Sequence, residues 1–161
     1  MFRVLCALAF AIPEVGYCQG MNFIAATLLI VCKDEELAFW LFYTLMHKHD
    51  MKSLYLPGVP ELHLKNFSMG QLVRTHRNKL YTHLRQIQMT PDYFSSKWIM
   101  TLFSNFLPFR MIPAIFDNFI CEGWRSVYRI GIALLRVLEP TLLQMDMFEM
   151  SRYLRDSVRK Q

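Results

Sequence analysis

The first 32 residues, MFRVLCALAFAIPEVGYCQGMNFIAATLLIVC, decide the fold class of this chain. They contain two apolar segments, about Phe2 to Ile12 and Gly20 to Val31, which are separated by Pro13 and the loop Glu14 to Gln19. Each segment is longer than a usual strand of roughly 5–6 residues. The stretch therefore predicts two helices joined by a short loop.

The residues that follow continue the helical pattern. Asp34 is placed to cap a third helix, which is apolar nearly all round and is therefore predicted to pack on two sides. Residues 54–61 contain two prolines and a glycine and are predicted to form the main loop. Beyond them, residues 64–89 predict one broken helix or two successive helices.

Polar and proline residues mark the later helix starts. Thr90 is a suitable N-cap with Pro91 at the first helical position, and Pro140 is expected to open a short helix. Asp146 with Glu149 has the spacing of a capping box for the last helix. The whole pattern predicts an all-α fold.

The composition indicates one globular domain over residues 1–161. Hydrophobic residues make up 53% and charged residues 19%, compared with about 45–50% and about 25% in ordinary soluble domains. This composition excludes disorder for the chain as a whole. The longest apolar run, Met21 to Cys32, is shorter than the roughly 20 residues that a membrane crossing requires, so no transmembrane segment is predicted.

The N-terminal segment leaves a second interpretation open. Met1-Phe2-Arg3, the apolar run Val4 to Ile12 and the small-residue pattern Ala9-Phe10-Ala11 are also typical of a secretory signal. The four cysteines, however, have no C-x-x-C spacing and lie mostly in or beside apolar segments. That usage favours reduced thiols and a cytoplasmic protein.

The usual motifs of enzymes and metal sites are missing from the sequence. It contains no phosphate-binding glycine loop, no dinucleotide fingerprint, no H-E-x-x-H and no G-x-S-x-G. His47 and His49 are two residues apart on a predicted helix and so point in different directions. We therefore predict no metal site and no cofactor of the chain's own.

Basic residues form two stripes and give a net charge of 18 − 13 = +5. The stripes comprise Arg125, Arg129 and Arg136, and Arg152, Arg155 and Arg159. Each lines one helical face without the interleaved aromatics of a nucleic-acid groove, so no nucleic acid is predicted as a partner. A solvated face, or attraction to an acidic protein or an anionic membrane surface, remains open.

The loop Val15-Gly16-Tyr17-Cys18-Gln19-Gly20-Met21-Asn22 holds the candidate site. Its plain interpretation is a connection that uses the conformational freedom of Gly16 and Gly20, with Gln19 merely solvated. The alternative is that the loop presents the glutamine side chain to a partner.

Resemblance to a known family favours the second interpretation. The loop resembles the Y-x-Q-G-M-N signature of the TBC (Tre-2/Bub2/Cdc16) domain, the catalytic domain of GTPase-activating proteins for Rab GTPases. Further resemblances occur in the family's order at Phe23 to Leu29, Glu35-Glu36-Leu37-Ala38-Phe39-Trp40, Lys97-Trp98 with Phe103, and Phe116-Asp117 ahead of Glu122-Gly123. Together they cover nearly the whole chain.

The resemblance implies an all-helical GTPase activator whose partner is a Rab-family small GTPase in its GTP form. Gln19 would be the glutamine finger that orients the hydrolytic water, because a neutral carboxamide can donate and accept hydrogen bonds without repelling phosphate. Tyr17, Gly16, Gly20 and Asn22 would hold its loop. GTP and magnesium would belong to the partner, and membrane association would be peripheral, on endomembranes, through that partner.

The chain also departs from the family pattern. Family members supply an arginine from an upstream I-x-x-D-x-x-R motif, which this sequence lacks, and only 18 residues precede Gln19. We expect a partial TBC domain lacking N-terminal helices, with weak or no activity by itself and an uncovered apolar surface on Phe2 to Ile12. Two other hypotheses stay open: a non-catalytic module that binds a small GTPase or another partner, and a small secreted or membrane-associated helical protein.

Overall fold

The computed structural model describes the backbone of residues 1–156 and the side chains of residues 1–154. Within that range the chain forms ten α-helices and one 3₁₀ turn and has no strand. In chain order they are α1 (Phe2–Ala11), α2 (Met21–Cys32), α3 (Glu35–Lys48), α4 (Lys52–Tyr55), α5 (Pro60–His76), α6 (Asn78–Gln86), α7 (Asp92–Thr101), the 3₁₀ turn (Phe109–Met111), α8 (Ile112–Glu122), α9 (Trp124–Leu142) and α10 (Met147–Asp156). The predicted all-α class is confirmed.

Helices α1, α2 and α3 pack against one another at the N-terminal end. Val4 and Leu8 of α1 and Ile24 of α2 are buried. Asp34 caps α3 as predicted, because its Oδ1 accepts a hydrogen bond of 2.7 Å from the backbone N–H of Leu37. The loop between α1 and α2 is therefore attached to three helices that pack against one another.

The expectation that α3 packs on two sides is wrong. Its buried residues lie on one face and comprise Ala38, Phe42, Leu45 and Met46. On the opposite face Leu37 and Trp40 are 50% and 54% exposed. Trp40 packs instead on aromatic neighbours of its own helix, with ring centroids 5.0 Å from Phe39 and 6.0 Å from Tyr43.

The predicted loop over residues 54–61 is shorter than expected. Lys52–Tyr55 forms the single turn α4, and Leu54 and Tyr55 are fully or nearly fully buried. Burial of these two large side chains stabilises a helical turn that local sequence signals did not indicate. The connection is reduced to residues 56–59, after which Pro60 occupies the first position of α5.

Helices α5 and α6 are separate and meet at Arg77, which selects the second of the two predicted arrangements. Asn66 of α5 links to α7 through two hydrogen bonds: its Nδ2 donates to Ser96 Oγ at 2.8 Å and its Oδ1 accepts from Ser95 Oγ at 2.7 Å. The asparagine is only 8% exposed, so both halves of its amide are used inside the fold.

The start of α7 differs from the prediction. Pro91 occupies the N-cap, the helix begins at Asp92, and Thr90 makes no side-chain capping bond. The backbone carbonyl of Thr90 instead accepts from the N–H of Tyr93 at 3.2 Å. The helix therefore begins one residue later than expected, and its first N–H groups donate to the backbone carbonyls of Thr90 and Pro91.

Pro140 does not open a new helix, because it lies inside α9. A proline within a helix loses one backbone hydrogen bond, but only two helical residues follow it. One of these, Leu142, is 1% exposed, so its burial favours continuation of the helix. The next prediction is confirmed, because Asp146 and Glu149 exchange capping hydrogen bonds of 2.8 and 3.1 Å at the start of α10.

The centre of the core is an aromatic group around Trp98 of α7, which is 1% exposed. Its ring centroid lies 4.9 Å from Phe94, 5.5 Å from Phe103 and 5.2 Å from Phe106. Buried residues from α1 to α10 form one continuous cluster with this group. Helix α7 therefore serves as the support on which the N-terminal and C-terminal helices pack.

An apolar surface is left uncovered on α1 and α3. Phe2 and Phe10 are 79% and 90% exposed, and Leu37 and Trp40 lie half exposed on the neighbouring helix. Exposed apolar side chains were expected on Phe2 to Ile12, and this expectation is confirmed. We refer to Phe2, Phe10, Leu37 and Trp40 as the N-terminal apolar face.

Candidate functional site

The candidate glutamine lies in the connection between α1 and α2. Gln19 is exposed, and no side-chain hydrogen bond holds it within the described part of the chain. Tyr17 is 59% exposed beside it, while Gly20 is buried immediately after it. The Gln19 carboxamide is thus exposed to solvent, while the backbone directly after it is buried.

The first half of the loop is fixed by a tight turn at the end of α1. The N–H groups of Val15 and Gly16 both donate to the carbonyl of Ile12, each at 3.1 Å. Gly16 has a φ of 62°, a left-handed conformation that glycine adopts without strain. Ile12 is 1% exposed, so the turn is attached to the core.

The second half of the loop is fixed by contact with α7. Gly20 has a φ of 109°, and a Cβ atom at this position would lie 3.4 Å from the carbonyl oxygen of Met100 and 3.6 Å from a Thr101 methyl carbon. The positive φ favours glycine, and a side chain at this position would lie in contact with α7. The backbone directly after Gln19 is therefore held against the central helix.

Three further residues brace this contact. The N–H of Cys18 donates to Met21 Sδ at 3.2 Å, and Met21 is fully buried. The hydroxyl of Tyr55 donates to the carbonyl of Met100 at 2.6 Å. Tyr55 thus fixes the same carbonyl against which Gly20 packs, which couples α4, α7 and the glutamine loop.

Burial shapes the protonation of two groups behind the loop. Burial, with a smaller contribution from the Cys18 thiol nearby, raises the pKa of Tyr55 well above its usual range, so the hydroxyl stays a donor. Burial also raises the pKa of Cys18, although a backbone hydrogen bond with Gln19 opposes this effect. Cys18 is therefore a protonated thiol at neutral pH and contributes no charge beside Gln19.

An ion pair ties the loop to α4 at the surface. Lys52 Nζ lies 3.1 Å from Glu14 Oε1. A backbone hydrogen bond and the Lys52 ammonium lower the pKa of Glu14. Both side chains are partly exposed, so the pair adds orientation more than stability.

The predicted site residues take different positions around the glutamine. Gly16 and Gly20 form the two turns, and Tyr17 projects from the loop toward solvent. Asn22 lies half-buried in the first turn of α2. The structure brings all of them within one loop and helix start, and their roles toward a partner stay predictions.

Sequence reasoning missed the residues that support the loop from behind. Met100 and Thr101 are about 80 positions away in the chain, and Tyr55 was placed in a predicted loop. No local pattern marks such contacts. The one available signal was the apolar pair Leu54 and Tyr55 in a polar stretch, which indicates a buried segment.

The part of the chain that the structure describes has neither a cluster of metal-ligating side chains nor a membrane-spanning helix. No group of three or more His, Cys, Asp or Glu side chains within that range is arranged to hold a metal ion. Among its helices, none has both the length and the apolar content needed to cross a bilayer. Of the predicted basic stripes, Arg125, Arg129 and Arg136 lie exposed on α9, whereas the Arg155 side chain and Arg159 lie outside the described residues.

Comparison with known proteins places this arrangement in a family. Residues 1–143 match the family described as the Rab-GTPase-TBC domain. A human protein, the "Ecotropic viral integration site 5 protein homolog", is 34% identical over 147 residues, which are 91% of this chain and 18% of that protein. The "Rab GTPase-activating protein eat-17" of Caenorhabditis elegans is 34% identical over 160 residues, 99% of this chain and 18% of its own length.

Two solved structures have the same fold. The Chlamydomonas flagellar RabGAP TBC domain superposes with a TM-score of 0.84 at 27% identity, covering 97% of this chain and 52% of that one. The Ypt/Rab-GAP domain of Gyp1p gives a TM-score of 0.83 at 19% identity, covering 98% and 58%, and supports the fold alone. The chain therefore spans about half of these solved domains and under a fifth of the two curated relatives. On its sequence match over residues 1–143 and on its fold, the chain belongs to the Rab-GTPase-TBC domain family.

Proposed function

We propose that this chain is a GTPase-activating module for a Rab-family small GTPase and that Gln19 is its glutamine finger. The observation that carries the proposal is the exposed carboxamide of Gln19 on a backbone held against α7 by Gly20. Presentation from a rigid loop suits a group whose role is to position water, because catalysis of phosphoryl transfer depends mainly on positioning and electrostatics. Relatives named as Rab GTPase-activating proteins support the choice of partner.

In the proposed reaction the partner supplies the nucleotide and its magnesium. The Gln19 amide oxygen accepts a hydrogen bond from the attacking water, and its NH₂ group donates to an oxygen near the γ-phosphate. The neutral Cys18 thiol and the neutral carboxamide add no negative charge that would repel phosphate. The module would be cytoplasmic and would reach endomembranes through a membrane-bound Rab.

The sequence also sets the expected activity of this polypeptide. It contains no I-x-x-D-x-x-R motif, and an arginine finger contributes roughly 10³–10⁵ in rate, about 4–7 kcal/mol of barrier. One glutamine does not replace that contribution. The 161-residue polypeptide tested alone should therefore be a weak or inactive activator, although its glutamine loop is intact.

The second candidate function, a non-catalytic module that binds a small GTPase, is favoured by the same missing motif. A transition-state mimic separates the two. The polypeptide would be added to a panel of Rab proteins loaded with GTP, with GDP, or with GDP and aluminium fluoride, and binding would be measured by biolayer interferometry. Phosphate release from the GTP form would be followed in parallel.

If the module is catalytic, it should bind the aluminium fluoride state of the Rab more tightly than the GTP state. The Gln19→Ala variant should lose that preference. Gln86→Ala, which removes an exposed glutamine on α6, is the matched control and should keep the preference. Equal binding to both states, unaffected by Gln19→Ala, would support the non-catalytic module. Absence of binding to every Rab in every state would contradict both.

A further inference from the structure

A groove separate from the glutamine loop lies between α5 and α9. Its volume is about 720 Å³. The floor is apolar and comprises Leu72 of α5 with Tyr128, Ile132 and Ala133 of α9. Ala133 is exposed and the other three are half-buried, so the floor is accessible to a ligand.

The rim of this groove is basic. Arg125, Arg129 and Arg136 lie along its α9 side, and His76 and Arg77 lie at the end of α5. The three α9 arginines are exposed and span 11 residues, about 16 Å or three helical turns. None of the described residues that line the groove is acidic, so the whole rim favours a negatively charged ligand.

The charges of the rim are only partly neutralised by the protein itself. Arg129 pairs with Glu122, and Arg77 pairs with Glu139 at 3.2 Å. Arg77 Nε is nevertheless buried and has no hydrogen-bond partner within the described residues.

The remaining two arginines are free of such pairing. Arg125 and Arg136 have no carboxylate within 4 Å in the described part of the chain. Two exposed guanidinium groups, one at each end of a three-turn row, are thus available to an external anion.

We propose that this groove docks an acidic amphipathic helix of a partner protein, with the apolar face of that helix on Tyr128 and Ile132 and its carboxylates on Arg125 and Arg136. The combination of an apolar floor with a basic rim matches a helix that is apolar on one face and acidic on the flanks. A free phosphate would leave the floor uncovered. A flat bilayer does not enter a concave groove between two helices.

The proposal is tested with a fluorescent peptide added to the intact chain. The probe is a helical peptide of about 16 residues with a leucine face flanked by glutamates. The control peptide has the same leucines with glutamine in place of every glutamate. Fluorescence anisotropy is measured at low and at physiological salt, together with the unfolding transition of each protein variant.

The expected result is micromolar binding of the acidic peptide and roughly tenfold weaker binding of the glutamine peptide, with affinity falling as salt rises. Arg125→Glu combined with Arg136→Glu should weaken the acidic peptide by about tenfold or more. Ile132→Gln should also weaken it. Arg74→Glu combined with Arg110→Glu, an equal charge change on exposed arginines outside the groove, should leave the affinity unchanged within about twofold.

Three outcomes would overturn the proposal. The first is equal binding of the acidic and glutamine peptides, or no binding of either. The second is an equal loss of affinity in the control charge reversal. The third is capture of the chain by phosphatidylserine vesicles that depends on Arg125 and Arg136 and is not competed by the peptide, which would assign the groove to a membrane surface. Gln19→Ala should bind the peptide normally, so this result is independent of the proposed activity.

Discussion

At the scale of single residues, Gly16 and Gly20 flank the glutamine and both have a positive φ, of 62° and 109°, but their surroundings differ. A Cβ at Gly16 meets nothing within 4 Å, whereas one at Gly20 meets the Met100 carbonyl at 3.4 Å. A side chain would therefore be strained at both positions, while only a side chain at Gly20 would contact α7.

Gly20→Ala is expected to lower the free energy of unfolding by about 2–3 kcal/mol, because its φ of 109° lies outside the left-handed helical region that the φ of Gly16 occupies. Gly16→Ala is the matched comparison and should cost about 1 kcal/mol. Urea unfolding of the two variants gives both values. Equal losses would show that the larger φ of Gly20 adds no strain.

Tyr55 of α4 fixes the Met100 carbonyl against which Gly20 of the glutamine loop packs. Tyr55→Phe removes the donor to the buried Met100 carbonyl and should cost about 1–2 kcal/mol of unfolding free energy. It should also speed amide hydrogen exchange at Met21, because the backbone on which Gly20 rests is loosened. Tyr17→Phe, at an exposed tyrosine, should change neither measurement.

Tyr55 also makes the free energy of unfolding depend on pH. Its pKa is raised in the folded state, so its contribution is fully present below the unfolded tyrosine value of about 10 and is lost as the pH rises above it. Unfolding free energies measured between neutral pH and pH 11 should fall more steeply for the parent chain than for Tyr55→Phe. If the curves of unfolding free energy against pH are parallel for the two proteins, the pKa of Tyr55 is not raised in the folded state.

The sequence could indicate the glutamine itself, because Gln19 lies between turn-forming glycines and after an apolar helix. It could not indicate Tyr55, Met100 or Thr101, since their contacts with the loop join positions 35 or more residues apart. Such contacts depend on how helices pack, and no local propensity encodes them.

At the scale of elements, α9 contains a conflict between local preference and tertiary packing. Pro140 lies inside the helix, two residues before its end at the buried Leu142. The ring removes an N–H that would otherwise donate to the carbonyl of Arg136. Packing of the last turn offsets that cost.

Pro140→Ala should therefore stabilise the chain, by about 1–2 kcal/mol, because it restores a helical donor and leaves Leu142 in place. Ala133→Pro, at an exposed position in the middle of the same helix, should destabilise it by about 3 kcal/mol or more. Thermal unfolding of both variants checks the pair. A destabilised Pro140→Ala would mean that the helix end depends on the proline ring.

Helix starts that depend on local hydrogen bonds were predictable, as Asp34 and the pair Asp146 and Glu149 show. Starts that depend on packing were not. Leu54 and Tyr55 form a helical turn because they are buried, and α9 continues through Pro140 because Leu142 is buried. Local capping rules have no information about which side chains a distant helix will cover.

At the scale of the whole molecule, the N-terminal apolar face leaves four large apolar side chains open to solvent. Phe2, Phe10, Leu37 and Trp40 are each at least half exposed. Large apolar side chains exposed on two neighbouring helices favour association.

Phe10→Gln combined with Trp40→Gln is expected to reduce self-association and to change the unfolding free energy by less than about 0.5 kcal/mol, because both side chains are already in water. Val137→Gln, at an isolated apolar residue that is 75% exposed on α9, is the control and should leave association unchanged. Sedimentation velocity over a concentration series measures the effect. Unchanged sedimentation of the double variant would show that this face does not drive association.

The composition indicates that some apolar side chains are exposed, but it does not show where all of them lie. An apolar fraction of 53% with few charges exceeds what one core of this size requires. Phe2 and Phe10 are exposed, as expected for Phe2 to Ile12, whereas the outer face of α3 was expected to be covered. Which face of an all-apolar helix points inward depends on its neighbours, and its own sequence does not specify that choice.

The amide of Asn66, held between α5 and α7, has a consequence for carbohydrate attachment. Asn66-Phe67-Ser68 reads as an acceptor for N-linked sugar, and the nitrogen that would carry the glycan is the one that donates to Ser96. A sugar at this nitrogen would displace Ser96 and force a bulky, hydrated group between two packed helices. Glycosylation at this asparagine and formation of the α5–α7 contact are therefore mutually exclusive.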